Sequence, residues 1–228
     1  MRTNLPPTPR LAPLAPEDWD ERTRAMLRGH VKRIDRYLSD APGAPRMPNA
    51  LGVLGHHAQL AGAWLNYNGV LLDDPALAPR HRELMILRVA WRTGSTYEWV
   101  QHARIAAGLG ITPAEIDALA DDADRAGATG RPGSGRAGPG RADEAVPGGW
   151  TPLERLLLDA TDQLIDGCRI GDATWTALQE HLDARQLLEA TFVVGSYLCL
   201  AMVFNSVALE LDPEMYAEMP SRLPERED

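Results

Sequence analysis

The sequence predicts an all-α protein. Apolar residues recur at the three- and four-residue spacing of a buried helix face along most of the chain. The pattern Thr-Pro-x-Glu, typical of a capped helix start with proline in the first turn, occurs at Thr112 and again at Thr151. No stretch alternates apolar and polar residues between turn-forming pairs, as a half-buried strand does.

The composition fits a globular protein and argues against several function classes. The 228 residues are 44% hydrophobic and 24% charged, with a formal net charge of -9. This charge repels a phosphate backbone and the basic residues form no cluster, so we expect no nucleic-acid partner. The proline-rich N-terminus lacks an apolar run behind a basic start, so we expect no secretory signal and a cytoplasmic location.

The two cysteines, Cys168 and Cys199, lie 31 positions apart and form no Cys-x-x-Cys pair. This spacing argues against a dithiol redox motif or a thiolate metal site. We expect both side chains to be buried as small apolar groups.

Segments rich in glycine and proline divide the chain into five parts. We expect an extended arm over residues 1–16, a first helical half over 17–126, a mobile Gly/Pro-rich linker over 127–149, a second half over 150–214 and a polar tail over 215–228. Capped helices joined by turns occur on both sides of the linker, which suggests two related helical halves.

The helices themselves follow from periodicity and caps. They are expected over residues 17–38, 50–56, 58–72, 80–93, 96–107, 113–122, 152–166 and 172–182, and from 184 onward, with Asn49 and Asp172 as caps. The apolar run over 191–211 is long enough to raise the question of a membrane-spanning helix. Polar residues interrupt it and acidic residues flank it, so we expect a buried core helix and no membrane partner.

Three residues around Gly94 point to acid–base chemistry. Glu98 and His102 are four apart and share one helix face. Glu83 lies eleven residues before Gly94 and His102 eight after it, so at about 1.5 Å per residue an antiparallel hairpin brings them to similar heights. Two carboxylates and an imidazole in a partly apolar cleft have their pKa values pushed apart, as general acid–base catalysis requires.

Structural explanations exist for each of these residues. Ser95 and Glu98 have the spacing of a capping box, in which the Ser95 hydroxyl bonds the Glu98 amide and the Glu98 carboxylate reaches back. Glu83 has Arg80, Arg82 and Arg88 within reach as ion-pair partners. On spacing alone, His102 is at least as consistent with a structural histidine as with a catalytic one.

The segment resembles the carboxymuconolactone decarboxylase family, which includes the alkylhydroperoxidase D branch. That branch carries a glutamate and, twelve residues later, Cys-x-x-Cys-x-x-x-His; here these positions are Glu83, Ser95, Glu98 and His102. The resemblance implies an alkylhydroperoxidase D-like helical bundle and a homotrimer or dimer of trimers. Thiol peroxidase chemistry needs a nucleophilic and a resolving thiol, which Ser95 and Glu98 cannot supply. The resemblance is therefore closer to the cysteine-free decarboxylase branch, with Glu83, Glu98 and His102 as catalytic residues.

Further residues are candidates for substrate contact. These are Tyr97, Trp99, Trp64, Asn68 and Asn205, although each is also explained by core packing or an internal hydrogen bond. The pair His56 and His57 is weak support for a metal, and we expect no metal and no cofactor.

The sequence as a whole predicts a cofactor-free acid–base enzyme for a small carbonyl acid or lactone. Decarboxylation, isomerisation, hydrolysis and cyclisation all use a positioned acid and base around an enolisable substrate, and the residues do not choose among them. The alternatives are a residual antioxidant protein and a non-catalytic helical scaffold or ligand-binding protein.

Overall fold

The protein is all-α, as predicted. The structure, a computed structural model, describes residues 9–28, 37, 39, 41–128 and 149–225. These residues form helices α1 (Glu21–Arg28), α2 (Asn49–Leu54), α3 (Ala58–Asp73), α4 (Pro79–Arg92), α5 (Thr96–Gly108), α6 (Pro113–Ala128), α7 (Pro152–Gly167), α8 (Asp172–Gln179) and α9 (Ala184–Val207). Three short 3₁₀ helices, Pro16–Asp18, Gly55–His57 and Pro213–Glu218, complete the described secondary structure.

Most predicted helices are found within one or two residues of their expected ends, and the exceptions are local. The helix expected over 17–38 is a 3₁₀ turn followed by α1, and most of residues 29–40 lies outside the described part. Helix α8 ends at Gln179, three residues early. Helix α6 runs to Ala128, past its expected end at 122, so the predicted linker loses its first two residues to a helix. The rest of the linker up to residue 148 lies outside the described part.

The chain forms two compact units. One comprises Met1–Asp74 with Val203–Tyr216, and the other Pro75–Met202 with Ala217–Asp228. The second unit therefore contains residues from both sides of the linker. An internal relation between two helical halves stays a prediction.

The first unit is organised around Trp19, which follows the first 3₁₀ turn. Its indole is 3% exposed and packs with Leu27, Met47 and Ala61 where α1 meets α3. A Cβ at Gly55 would lie 3.0 Å from the Trp19 ring, so any larger residue there would require the ring to shift by a few tenths of an ångström. The Arg24 guanidinium donates to the Trp19 carbonyl at 2.9 Å and fixes the turn.

Two predicted caps are wrong. Asn49 is the first residue of α2, not its cap, because its side-chain amide donates to the Glu210 and Leu211 carbonyls at 3.1 and 3.3 Å. Its backbone amide is taken by the Asp212 carboxylate at 2.7 Å, a long-range partner that local sequence does not reveal. In α8 the cap position is Gly171, and Asp172 is the first helical residue.

Helix α4 is the centre of the second unit and contacts α5, α6 and α7. Every residue from Arg82 to Ala90 is buried, so the helix has no solvent face in this stretch. A helix surrounded by protein is normally apolar, and a charged side chain on it must find a partner.

Arg88 shows how this requirement is met. Its guanidinium is fully buried and donates to both Asp162 oxygens of α7 and to the Leu119 carbonyl of α6. Arg92, one turn on, adds a third bond to Asp162 at 2.7 Å and pairs with Asp166. This buried ion-pair network joins three helices.

The two Thr-Pro-x-Glu capping boxes are confirmed. At α6 the Thr112 amide donates to Glu115 at 2.8 Å and the Glu115 amide to the Thr112 hydroxyl at 3.3 Å; α7 repeats the pattern with Thr151 and Glu154. Arg80 then bridges the two boxes, donating to Glu115 at 2.5 Å and to Glu154 at 2.7 Å. The starts of three helices are thereby tied together.

Within the described residues, α9 is the one helix long and apolar enough to cross a membrane by length and composition. More than half of its most apolar stretch is buried inside the protein. Its buried Glu189 accepts hydrogen bonds from the Ala76 and Leu77 amides at 2.7 and 2.9 Å, a contact that belongs to a packed core helix.

The prediction that both cysteines are buried is wrong. Cys168 and Cys199 are exposed and free. Cys168 ends α7 with its backbone in the left-handed region, and Cys199 lies on the outer side of α9. Neither side chain therefore contributes to the core.

Replacing Arg88 by alanine should lower the free energy of unfolding by about 3–5 kcal/mol, because Asp162 is left as a buried charge with one partner fewer. Chemical denaturation measures this loss. The matched control is Arg155→Ala, which removes a partly exposed i,i+4 pair with Asp159 worth about 0.3–0.5 kcal/mol. Equal losses in the two variants would contradict the role given to Arg88.

Candidate active site

The site is built on the α4–turn–α5 hairpin. Helix α4 ends where the Thr93 amide donates to the Val89 carbonyl, and Gly94 follows with a φ of +64°, the left-handed conformation that glycine adopts without strain. The Ser95 amide then donates back to the Ala90 carbonyl at 2.9 Å. These bonds reverse the chain within two residues, and the predicted stop at Gly94 is confirmed.

The reversal brings Glu83 of α4 against His102 of α5. Glu83 Oε2 lies 2.6 Å from His102 Nδ1, and the two residues are 1% and 8% exposed. The contact predicted from equal heights above the turn is therefore present. Arg82 Nε lies 3.3 Å from the other carboxylate oxygen, which identifies the arginine partner of Glu83.

The imidazole of His102 is held on a second side by Tyr197 of α9. The two rings meet edge to face with centroids 4.9 Å apart. Glu83 occupies Nδ1, and the structure records no hydrogen bond of the other ring nitrogen, Nε2, within the described residues. Sequence reasoning missed Tyr197 as a site residue, although its place as a polar interruption of an apolar run was a signal.

The capping box predicted at Ser95 and Glu98 is wrong. The Ser95 side chain makes no capping bond to the helix; its hydroxyl lies 2.5 Å from Glu98 Oε2 instead. Glu98 cannot reach back to the Ser95 amide because the Ala90 carbonyl already occupies that donor. The tight turn, rather than the carboxylate, supplies the acceptor for the Ser95 amide.

Glu98 is consequently a buried carboxyl group with one oxygen bonded. The residue is 2% exposed, and Oε1 has no hydrogen-bond partner among the described residues. Burial raises the pKa of Glu98 to about 8, while the Ser95 hydrogen bond lowers it by less. At neutral pH this side chain is therefore mostly the neutral acid.

The three predicted catalytic residues form two pairs rather than one cluster. Glu83 bonds His102, Glu98 bonds Ser95, and the structure records no hydrogen bond between the pairs within the described chain. All four residues belong to the second unit.

The candidate substrate-contact residues have different surroundings. Trp99 is fully buried, its ring lies tilted against Trp91 with centroids 4.9 Å apart, and its indole N–H donates to the Arg222 carbonyl at 2.8 Å. Tyr97 is 6% exposed. Trp64, Asn68 and Asn205 belong to the first unit; Asn68 is buried and the other two are partly buried. Their roles in substrate binding stay predictions.

Two cavities, of about 280 and 410 Å³, are outlined in the described part of the chain. The first lies around Pro13 and Arg46, the second between Trp175 and Leu188, and neither is lined by Glu83, Glu98 or His102.

His56 and His57, the two histidines that the sequence offered as weak metal candidates, both have backbone partners. His57 caps α3 by accepting from the Leu60 amide, and His56 bonds the Ala12 carbonyl at 2.8 Å. Backbone contacts therefore account for both histidines.

The family profile described as "Carboxymuconolactone decarboxylase family" matches residues 58–131, which contain Glu83, Ser95, Glu98 and His102. Over this segment the chain is similar to the carboxymuconolactone decarboxylase family. The positions that the resemblance assigns to the two cysteines of the peroxidase branch are occupied by the bonded pair Ser95 and Glu98.

Solved structures of similar fold extend over more of the chain. An uncharacterized peroxidase-related protein from Ralstonia eutropha JMP134, described as an alkylhydroperoxidase AhpD core, is 16% identical, with 93% of this chain and 98% of that chain covered and a TM-score of 0.65. A peroxidase-related protein from Silicibacter sp. TM1040 is 18% identical over 76% and 81% of the two chains, with a TM-score of 0.58.

A variant of the debrominase Bmp8, solved in complex with 2,3,4-tribromopyrrole, is 11% identical over 91% and 94% of the two chains, with a TM-score of 0.62. At these identities the likeness establishes the fold alone. No functionally curated protein matches the chain.

Replacing Glu98 by glutamine should flatten the pH dependence of stability. The folded-state pKa of about 8 lies above the ordinary value of 4.5, so the native protein holds a proton that the unfolded chain releases. The wild type should therefore lose about 1.4 kcal/mol per pH unit, relative to Glu98→Gln, as the pH rises between these two values.

Urea denaturation at a series of pH values from 5 to 9 measures this difference. The control is Glu218→Gln on the exposed 3₁₀ helix, which should keep the wild-type slope. A wild type and Glu98→Gln that fall in parallel would show that Glu98 titrates normally.

Proposed function

We propose that this protein is a cofactor-free acid–base enzyme acting on a small carbonyl acid or lactone, by decarboxylation or related enolate chemistry. The observation that carries the proposal is the 2.6 Å bond between Glu83 Oε2 and His102 Nδ1 in a buried setting. A carboxylate bound to one imidazole nitrogen fixes the ring and its tautomer, which leaves the other nitrogen as the working acid or base.

Each contact around the pair has a part in this chemistry. Glu83 accepts from His102 and orients the imidazole, while Arg82 holds the second Glu83 oxygen in place. Tyr197 restricts rotation of the imidazole ring by its edge-to-face contact. The geometry of the base is thus set by three neighbours before any substrate arrives.

A decarboxylation balances with these groups alone. The bond from the α-carbon of a β-keto or vinylogous acid to its carboxylate breaks, carbon dioxide leaves, and the electron pair passes into an enolate. His102, protonated at Nε2, then delivers its proton to the carbon and becomes neutral. Isomerisation or lactone opening uses the same proton in a different order, so the proposal is for a class of reaction.

The assembly and location belong to the proposal as well. The homotrimer or dimer of trimers, the small-molecule substrate, the cytoplasmic location and the absence of nucleic-acid and membrane partners stay predictions.

Glu83→Gln and His102→Gln should each lower kcat by about 10²- to 10⁴-fold on a lactone acid that the wild type turns over. Steady-state rates across pH 5–9 measure this loss, together with the disappearance of the basic limb of the wild-type profile. Glu218→Gln is the control, because it removes an exposed glutamate of the same unit.

Circular dichroism and light scattering on the same variants separate catalysis from assembly. If melting temperature and oligomer size change while no lactone acid or carbonyl acid is ever turned over, the non-catalytic scaffold is the better description and the proposal fails.

The protein should consume no alkyl hydroperoxide beyond the rate of a Cys168→Ser/Cys199→Ser variant in a dithiol-coupled assay. The reason is that a thiol peroxidase needs a paired thiolate, and both cysteines are free and exposed in unrelated segments. Wild-type turnover that depends on one of the cysteines would favour an antioxidant role; turnover that survives the loss of both would refute the thiol requirement.

A further inference from the structure

Glu98 Oε1 is a polar atom for which the fold provides no partner. It is inaccessible to solvent and unbonded within the described chain, whereas most buried polar side-chain atoms are hydrogen-bonded. Three indole nitrogens share this condition, but Glu98 is the one carboxyl among these atoms. An unbonded buried carboxyl oxygen is costly unless something absent from the folded chain completes it.

The position of this oxygen is fixed by its neighbour. Oε2 of the same carboxyl lies 2.5 Å from the hydroxyl of Ser95, the residue that immediately precedes α5. Both oxygens share one carbon, so Oε1 lies at the N-terminal end of α5 as well. This helix has 13 residues, and its N-terminal end carries the positive end of the helix dipole.

The first turn of α5 has a backbone donor to offer. The Ser95 side chain accepts from no backbone amide of this turn, and the structure records no acceptor for the Glu98 amide within the described residues. Thr93 and Thr96 are partly exposed, so the turn reaches the protein surface next to the buried pair. The N-terminal end of α5 therefore combines one backbone donor without an acceptor, the Glu98 amide, with a favourable helix dipole.

The Ser95 bond also determines what Oε1 offers. The Ser95 hydroxyl donates to Oε2, so a proton on the carboxyl resides on Oε1 and points to no acceptor. Burial raises the pKa of this group to about 8, and the only opposing influence is the Ser95 bond. The charged groups of the packed hairpin, Arg82, Glu83, Arg88 and Arg92 on α4 and His102 and Arg104 on α5, do not contribute to that shift.

We propose that Ser95, the Glu98 carboxyl and the Glu98 amide at the N-terminus of α5 form a subsite for the oxygen of a carboxylate or enolate. An acidic O–H, a backbone N–H and the helix dipole all attract an anionic oxygen, and Ser95 aims the acid. The assignment of this subsite to a substrate rests on the proposed function. The binding of an oxygen anion at this subsite does not depend on the proposed function.

The subsite has a defined part in the proposed reaction. The negative charge left by bond breaking accumulates on an enolate oxygen, and a neutral acid donates a hydrogen bond to that oxygen without repelling it. Glu98 is thus the oxygen-holding group, and the Glu83–His102 pair is the proton-moving group. This division explains why the two carboxyls have separate partners.

The probe is acetate, the smallest carboxylate with a carbon substituent, with acetamide as its neutral isostere. Titrations are followed by the backbone amide signal of Glu98 and by the carboxyl signal of ¹³C-labelled glutamate. Acetate should shift both signals at pH 6.5, and its dissociation constant should rise about tenfold per pH unit above pH 8, where Glu98 loses its proton. Acetamide should bind at least tenfold more weakly.

Two variants test the donor. Glu98→Gln keeps an N–H donor beside Ser95, so acetate affinity should stay within about threefold of wild type and lose its pH dependence. Glu98→Ala should weaken binding tenfold or more. Glu115→Gln, which alters the confirmed capping box of α6, is the matched control and should leave acetate binding unchanged.

Several results would overturn the subsite. The first is the absence of any change in the Glu98 signals on addition of acetate; if Glu98 still titrates near pH 8, it is a buried acid without a ligand. The second is an acetate affinity that keeps its pH dependence in Glu98→Gln. The third is an affinity for acetamide equal to that for acetate.

The proposed function fails separately. Glu83→Gln and His102→Gln should still bind acetate, so binding without any turnover refutes the enzyme and leaves the subsite. If Glu98→Gln and Glu98→Ala both turn over substrate with unchanged kcat and KM, the subsite is refuted and the proposed function stands.

Discussion

The burial of α4 is the constraint on which the rest of the second unit depends. This helix carries Arg82, Glu83 and Arg88 in a stretch that has no solvent face, and a buried charge without a partner costs several kcal/mol. Each of these side chains therefore specifies a neighbour: Arg88 requires Asp162, and Glu83 requires His102. The requirement fixes which helices surround α4 and in which register they pack.

The candidate site is a product of the same constraint. Glu83 is held in place by a histidine on one oxygen and an arginine on the other, and both partners are themselves buried. Such a pair is stable as structure and also suited to proton transfer, because its hydrogen bond orients the imidazole. Packing and chemistry are therefore not competing explanations for Glu83 and His102; the packing supplies the orientation that the chemistry uses.

A hydroxyl and a carboxyl, those of Ser95 and Glu98, occupy the positions that the sequence resemblance assigns to two thiols. A dithiol pair stores electrons, whereas Ser95 and Glu98 exchange only a proton. The turn after Gly94 is kept, and so are the glutamate and histidine positions around it. What changes is the group presented at the start of α5, where a buried acid with a raised pKa now stands. In the proposed function, this tight turn presents an acid in place of a thiol.

Local sequence determined the helical class, the two Thr-Pro-x-Glu starts, the stop at Gly94 and the approach of Glu83 to His102, because each depends on periodicity, on a cap or on a count of residues per turn. Tertiary structure alone decided that Asn49 is held by the chain near Asp212, that Arg88 is satisfied by α7, that Tyr197 supports the imidazole and that Cys199 faces outward. It also decided that Glu98 bonds Ser95 rather than capping α5, since a carbonyl from the preceding helix had already taken the amide. Burial and long-range partners depend on which helices meet, and no local pattern records that.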